Sequence, residues 1–233
     1  MEEKIIPNHI AIIMDGNRRW AVENGMDKID GHKYGAQALE NTVKYCLKKG
    51  IKYLTVYAFS TENWNRSEKE VSTLMFLLQK LAEKYIAANL KEGKIKVIGD
   101  IDRVPEVVKN VIRKLEDMTK DNKGIQLNIA FNYGGRLEIV RAAKLIAEEV
   151  KEGKLAVEDI NDEVFENHLF TAGIPDPDLV IRTSGELRTS NFLPWQITYS
   201  EFLFLDKYWP DFGEEDVDNA IEVFSNRNRR KGK

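Results

Sequence analysis

The chain has 233 residues, 42% hydrophobic and 31% charged, enough apolar side chain for a buried core and too much for a disordered segment. Its 35 Lys and Arg against 38 Asp and Glu leave a net charge of −3, which excludes nucleic-acid binding driven by bulk positive charge and leaves only local basic sites. A single cysteine, Cys46, excludes a disulfide framework and a multi-cysteine metal cluster, and without an apolar run of signal-peptide or membrane-spanning length the expectation is a soluble cytoplasmic protein.

No repeat or low-complexity linker divides the sequence, so one domain is expected over 1–233, with a core at 8–225 and a basic tail at 226–233. Strands are predicted at His9–Met14, Tyr53–Phe59, Ile95–Ile98, Ile125–Phe131, Leu179–Ile181 and Phe202–Leu205. They are nearly continuous in apolar character, as expected of strands covered on both faces. Leu39, Val43, Cys46 and Leu47 make the first helical stripe, closed by Gly50 in the place of a C-cap glycine. Cys46 then reads as a buried, inert thiol.

Ser67 followed by Glu70 has the form of a capping box. It opens a helix predicted from Glu68 to Glu92, with Val71, Leu74, Met75, Leu78, Leu81, Ala82, Tyr85 and Ile86 on one face and Gly93 past its end. Such a face suits a ligand slot as well as a core. Val108, Val111, Ile112 and Leu115 form a third stripe after Pro105, and Leu137 to Val150 a fourth that ends near Gly153. Strands alternating with helices imply crossover connections, hence an α/β fold with a central, mostly parallel six-stranded sheet surrounded by helices. The strand order is not contained in the pattern.

In such sheets ligands bind at the carboxyl ends of the strands. Four strand-end loops are rich in polar, glycine and aromatic residues: Asp15 to Trp20, Ser60 to Arg66, Asn132 to Arg136, and Arg182 to Arg188. Asp15 alone suits a helix N-cap. With Gly16, Asn17, Arg18 and Arg19 behind it, exposed amides, a helix N-terminus and guanidinium forks coincide at an anion site. A carboxylate beside bound phosphate calls for a bridging cation, and Mg²⁺ is held by one or two carboxylates, phosphate oxygens and water.

Arg182, Arg188, Ser184 and Ser190 suit a second ligand with several phosphoryl oxygens, such as a diphosphate. His32, in Gly31-His32-Lys33 downstream of Lys28, is a candidate phosphate contact, whereas His168 lies among Phe165, Leu169 and Phe170 and reads as structural. Trp20 and Trp64 stand inside polar loops, as a ligand with a charged head and an apolar body would require. A P-loop, a dinucleotide fingerprint, an HExxH pair and a GxSxG elbow are all absent.

Five segments together resemble the cis-prenyltransferase family, of the undecaprenyl and dehydrodolichyl diphosphate synthase type. They are His9 to Trp20, Tyr57 to Arg66, Asn132 to Arg136, Asp178 to Glu186, and Ser190 through Trp195-Gln196 to Glu201. The resemblance runs from about His9 to Gly232. It implies a hydrophobic product tunnel, a homodimer, and Mg²⁺-dependent extension of farnesyl or geranylgeranyl diphosphate by isopentenyl diphosphate units. The product is then a poly-cis chain of about undecaprenyl size, precursor of a glycosyl carrier lipid, with transient membrane association at product release.

Carried over by residue, the resemblance makes Asp15 and Asn63 catalytic and gives the metal to Asp15 and Glu201. It assigns Gly16, Asn17, Arg18, Arg19, Trp20, Lys28, His32, Ser60, Thr61 and Glu62 to the allylic diphosphate. Trp64, Arg66, Arg182, Arg188, Thr189, Ser190, Arg230 and Gly232 go to isopentenyl diphosphate, the last two from a tail that reaches the partner subunit. Lys28 stands where bacterial members usually carry arginine, and Thr183-Ser184-Gly185 where they often carry a Gly-Gly pair; neither change removes a required group. A non-catalytic partner subunit is the competing reading, and the set Asp15, Arg19, Arg182, Arg188 and Glu201 argues against it. A Mg²⁺-dependent phosphohydrolase ranks below both, for want of a paired Asp-x-Asp nucleophile.

Overall fold

Apolar runs that must be covered on both sides form the middle of the molecule, a computed structural model that describes residues 4–87 and 92–227. The strands are β1 (His9–Ile13), β2 (Tyr53–Ser60), β3 (Glu92–Ile98), β4 (Lys123–Tyr133), β5 (Leu179–Arg182) and β6 (Glu201–Phe204). Around them lie α1 (Asn17–Glu23), α2 (Gly31–Lys48), α3 (Glu68–Ala87), α4 (Glu106–Thr119), α5 (Gly135–Lys151), α6 (Asp162–Asn167) and α7 (Glu214–Ser225). The sheet order is β3-β4-β2-β1-β5-β6 and every neighbouring pair is parallel.

All five residues of β1 are buried, and they alternate between two cores. Ile10 and Ile12 join Leu54, Val56, Leu127 and Ile129 in the larger core, which α2, α4 and α7 complete with Cys46, Ile112 and Phe224. Ala11 and Ile13 join Ala130, Tyr133, Val180 and Phe192 on the other face. Burial drives the Cys46 thiol up to about 12, which keeps it an unreactive thiol.

Gly50 ends α2 as expected: its φ is +83°, its N–H donates to the Leu47 carbonyl and that of Ile51 to Cys46. The expectation for α3 needs correction. Its described helix stops at Ala87, residues 88–91 lie outside the described part, and Glu92 begins β3. Gly93, expected just past a helix, is a strand residue with φ +83° beside a register shift in the β3–β4 pairing.

One polar chain crosses the core. His9 is 2% exposed; its Nδ1–H donates to the Pro175 carbonyl (2.6 Å), and Nε2 accepts from the Thr55 hydroxyl (2.7 Å), which accepts from Asn128 (2.9 Å). A carbonyl can only accept, and that fixes the tautomer. Burial lowers the His9 pKa from 6.5 to about 4. Below pH 6.5 the unfolded chain therefore takes up a proton that the folded chain refuses. The stability tied to His9 is complete above pH 6.5 and drains away as pH falls toward 4, at up to about 1.4 kcal/mol per unit. Asp176, pushed up to about 6 by burial and then by Glu166, works in the opposite direction. The expected result is thus a difference: His9→Gln shows a flatter acid limb than the parent in urea unfolding at pH 4 to 7. Parallel limbs would show that His9 does not carry this slope.

Candidate active site

The sheet order sets β4, β2, β1 and β5 side by side, so the four loops singled out by their composition leave one edge together. Among the described residues, five non-glycine positions have left-handed backbone: Asn132 (φ 46°), Ser184 (82°), Ser190 (50°), Asn191 (66°) and Leu193 (51°). All lie at the end of β4 or in the segment after β5. Such conformations cost about 1–3 kcal/mol each and persist where surrounding contacts over-determine them. Here they do. Asn132 accepts from Trp64 Nε1 (2.7 Å) and donates to the Asp100 carbonyl (2.5 Å). Asn191 accepts from the Arg136 N–H (2.9 Å), donates to Glu62 (2.9 Å) and receives the Gly135 N–H on its own carbonyl (2.8 Å). A Cβ on Gly135 would come within 2.0 Å of Pro194, so only glycine permits this approach.

Asp15 stands two residues past β1. It is not the helix N-cap: Gly16 holds that position with φ +102°, where a Cβ would meet the Tyr208 ring at 2.7 Å. Asp15 Oδ1 accepts the Gly16 N–H (2.8 Å), and Oδ2 accepts Arg182 Nη2 (2.7 Å). The Asp15 carbonyl is gripped by the Thr183 hydroxyl (2.7 Å) and the Trp209 N–H (3.0 Å). The carboxylate is held from the backbone side and presented at the sheet edge.

Two cavities of about 540 and 550 Å³ share Met14, Asp15, Asn17, His32 and Arg66. Gly16, Arg18, Arg19, Lys28, Val22 and Glu23 complete the first; Ser60, Glu62, Asn63, Arg182, Ser190 and Asn191 are among those lining the second. Behind them Ala58, Leu74, Leu78, Leu81, Ile129 and Phe131 enclose a slot of about 100 Å³, about three water volumes. The apolar face of α3 is thus both core and slot wall. A larger cavity of about 820 Å³ opens at the amino ends of the strands, and no predicted site residue lines it.

The site's arginines meet carboxylates of the same chain. Arg182 pairs with Asp15, Arg19 lies 3.3 Å from Glu186 and 3.7 Å from Asp15, Arg188 contacts Glu186, and Arg66 reaches Glu70 at 2.8 Å. Burial lowers the His32 pKa, and the positive charges of Arg66 and Arg18 add to this against the pull of Glu70, so the imidazole is neutral at pH 7. Among the described residues, the buried side-chain polar atoms without a partner include Asn17 Oδ1, Arg182 Nε and Ser184 Oγ. Buried polar atoms are rarely left unsatisfied, and these three cluster at this edge.

Some expected site residues point elsewhere. Trp20 Nε1 donates to Asp211 (2.7 Å) while its ring packs on Tyr34. Trp64 bonds Asn132 and sets its ring edge-on to Phe59. Both half-buried indoles find a partner for the N–H and pack the ring on another aromatic, and neither lines the two polar cavities. Thr61 backs Gly134, and neither it nor Thr189 lines either cavity. The Arg188 side chain is 63% exposed, and its carbonyl, rather than its guanidinium, enters the site by accepting from Arg182.

Glu201 does not join Asp15 around a metal within this chain. It starts β6 opposite Leu179, whereas Asp15 lies two residues past Ile13, which pairs with Arg182. That offset is roughly 16 Å along the strands, and Glu201 instead accepts Arg227 at 2.6 Å. Arg230 and Gly232 lie outside the described residues. Glu70, Asn191 and Thr183 were missed as site residues. Thr183 and Asn191 lay in or beside the polar stretch from Arg182 on, a local signal that marked the segment, whereas Glu70 read only as a capping residue.

Comparison with known proteins agrees with this architecture. A family model described as "Putative undecaprenyl diphosphate synthase" matches residues 13–232. An isoprenyl transferase of Clostridium perfringens is 50% identical over all of this chain and 92% of its own length. A ditrans,polycis-undecaprenyl-diphosphate synthase of Micrococcus luteus, named as (2E,6E)-farnesyl-diphosphate specific, is 47% identical over 97% of this chain and 92% of its own. The crystal structure of lavandulyl diphosphate synthase from Lavandula x intermedia, in complex with dimethylallyl diphosphate, superposes with a TM-score of 0.94, 39% identity and coverage of 98% and 99%. The chain belongs to the undecaprenyl diphosphate synthase family and is a transferase of prenyl groups.

Proposed function

We propose that this enzyme extends an allylic diphosphate, farnesyl diphosphate in the first place, by successive isopentenyl diphosphate units to a poly-cis product of about undecaprenyl size. The observation that carries the reading is the pair of polar cavities meeting at Asp15, with an apolar slot behind them. The names of the Micrococcus and Clostridium relatives support the same chemistry.

Mg²⁺ fits at Asp15, the carboxylate that lines both of the cavities proposed to take phosphoryl oxygens, because this ion completes its shell with substrate oxygens and water. Among the described residues no group of three His, Cys, Asp or Glu side chains stands ready for a metal; substrate oxygens and water would complete the shell. When bound, the ion would offset negative charge on the leaving diphosphate. Arg18, Arg19, Lys28, the Gly16 loop and the neutral His32 line the cavity assigned to that diphosphate. Arg182 and Ser190 take isopentenyl diphosphate. Asn63 Oδ1 is engaged by the Ser60 N–H at 3.1 Å, which leaves the amide NH₂, a donor, for the substrate. Asn63 therefore orients an anionic oxygen, and a diphosphate oxygen accepts the proton lost from the isopentenyl unit. A homodimer, with Arg230 and Gly232 reaching the partner's isopentenyl site, and peripheral membrane contact at product release complete the proposal. No helix among the described residues is long and apolar enough to cross a membrane.

The test is incubation with labelled isopentenyl diphosphate and either farnesyl or geranylgeranyl diphosphate, with and without a chelator, followed by chain-length analysis. Incorporation with farnesyl diphosphate that the chelator abolishes is expected. No incorporation with either starter would favour a non-catalytic subunit.

A further inference from the structure

Glu70 has the sequence position of a capping residue, three past Ser67, and its N–H does bond the Ser67 hydroxyl at 3.3 Å. Its carboxylate does something else. Glu70 is 6% exposed, and its oxygens lie 2.8 Å from Arg66 Nη1, 3.3 Å from His32 Nε2 and 3.5 Å from Arg18 Nη1. The three partners come from α1, α2 and the turn after β2, and all line the cavity assigned to the allylic diphosphate. Glu70, on α3, lines neither diphosphate cavity. A carboxylate so far out of water persists because these groups neutralise it.

We propose that Glu70 is a positioning residue for the allylic head group: a buried counter-ion that holds Arg66, Arg18 and His32 around the cavity before substrate arrives. This rests on the reading of that cavity as a diphosphate site. Arginine side chains carry about 2 kcal/mol of rotamer entropy each. Two like charges side by side would swing apart into solvent without an anion between them, and the Arg18 and Arg66 side chains, 47% and 30% exposed, have room to do so. Each guanidinium keeps N–H groups beyond those facing Glu70, so a diphosphate can add to the arrangement without displacing the carboxylate. Bare Coulomb repulsion between Glu70 and a bound diphosphate predicts the opposite sign, namely tighter binding once Glu70 is neutralised. The two accounts therefore separate on one measurement.

Glu70→Gln keeps the shape and removes the charge; Glu70→Asp keeps the charge on a shorter arm. Inorganic diphosphate is titrated calorimetrically into each full-length protein without Mg²⁺, and KM is measured for both substrates in the complete assay. For Glu70→Gln the expected result is about 10-fold or greater weakening of diphosphate binding and a matching rise in KM for the allylic substrate. That is the size expected for loss of a charge-assisted contact. KM for isopentenyl diphosphate should rise by less, because Arg66 and His32 also line the second cavity while its Arg182 and Ser190 are bonded to each other rather than held by Glu70, and Glu70→Asp should recover part of the loss. Unchanged or tighter diphosphate binding in Glu70→Gln overturns the proposal. Failure of the parent protein to bind diphosphate would instead overturn the reading of the cavity itself, and the two failures are told apart by which protein fails.

Discussion

Asp15→Ala is expected to lower kcat by at least about 10³-fold, roughly 4 kcal/mol of transition-state stabilisation, while leaving substrate binding intact. Asp15 is the carboxylate shared by both cavities proposed to take the diphosphates, and the proposed Mg²⁺ would sit beside it, with Glu201 of the same chain too far along the sheet to join it. Removing it takes away a negative charge beside Arg182 and Arg19, so the affinity of the site for anions persists or rises. That split separates a catalytic role from a binding one. Single-turnover incorporation of labelled isopentenyl diphosphate, set against equilibrium binding of the allylic substrate, measures both sides. Turnover within 10-fold of the parent would remove Asp15 from the chemistry. Loss of binding together with turnover would make it a structural link to Arg182.

How much of this was visible in the sequence follows the range of the forces involved. The six strands could be placed to within about three residues because burial on both faces leaves continuous apolar runs, a purely local signal. The loops at their ends were legible for the same reason: glycine, arginine and carboxylate crowd into a few positions. Strand order depends on pairing between distant segments, and with it the fate of Glu201. One residue of resemblance looks the same at either end of a strand, and only the register shows that within one chain it sits at the opposite end from Asp15. Trp20 and Trp64 were the hardest loop residues to place, because an indole in a polar loop can face ligand or protein equally well. Asp211, 191 residues away, and Asn132, 68 residues away, decide the matter. Glu70 was hidden most thoroughly, since Ser67 and Glu70 form a sound local motif and Arg66 is a local partner four residues back, while His32 and Arg18 are supplied by tertiary structure. The end of α3 was overrun because its apolar spacing passes into the β3 strand without a proline.

Arg182→Ala is expected to raise KM for isopentenyl diphosphate by about 10²-fold and to destabilise the fold by about 1–3 kcal/mol. The figure is reduced from the 3–5 typical of a broken buried pair because the Asp15 side chain is 32% exposed. Arg182, the last residue of β5, is 4% exposed. Its Nη2 bonds Asp15, its Nη1 bonds the Ser190 hydroxyl (2.8 Å) and the Arg188 carbonyl, and its Nε has no protein partner. One planar group thus joins the tip of β1 to the strained segment carrying Ser190 and Asn191 and still keeps a donor for a ligand oxygen. Lysine supplies the charge without the fork. Arg182→Lys should therefore recover part of the affinity yet leave Ser190 and the Arg188 carbonyl without their shared donor, so KM for isopentenyl diphosphate stays above the parent value. KM for the allylic substrate is the control, because the first cavity is lined by Arg18, Arg19 and Lys28 and not by Arg182. A rise confined to the allylic KM would reverse the assignment of the two cavities. An Arg182→Lys enzyme indistinguishable from the parent would show that charge alone, without bidentate geometry, holds the second substrate.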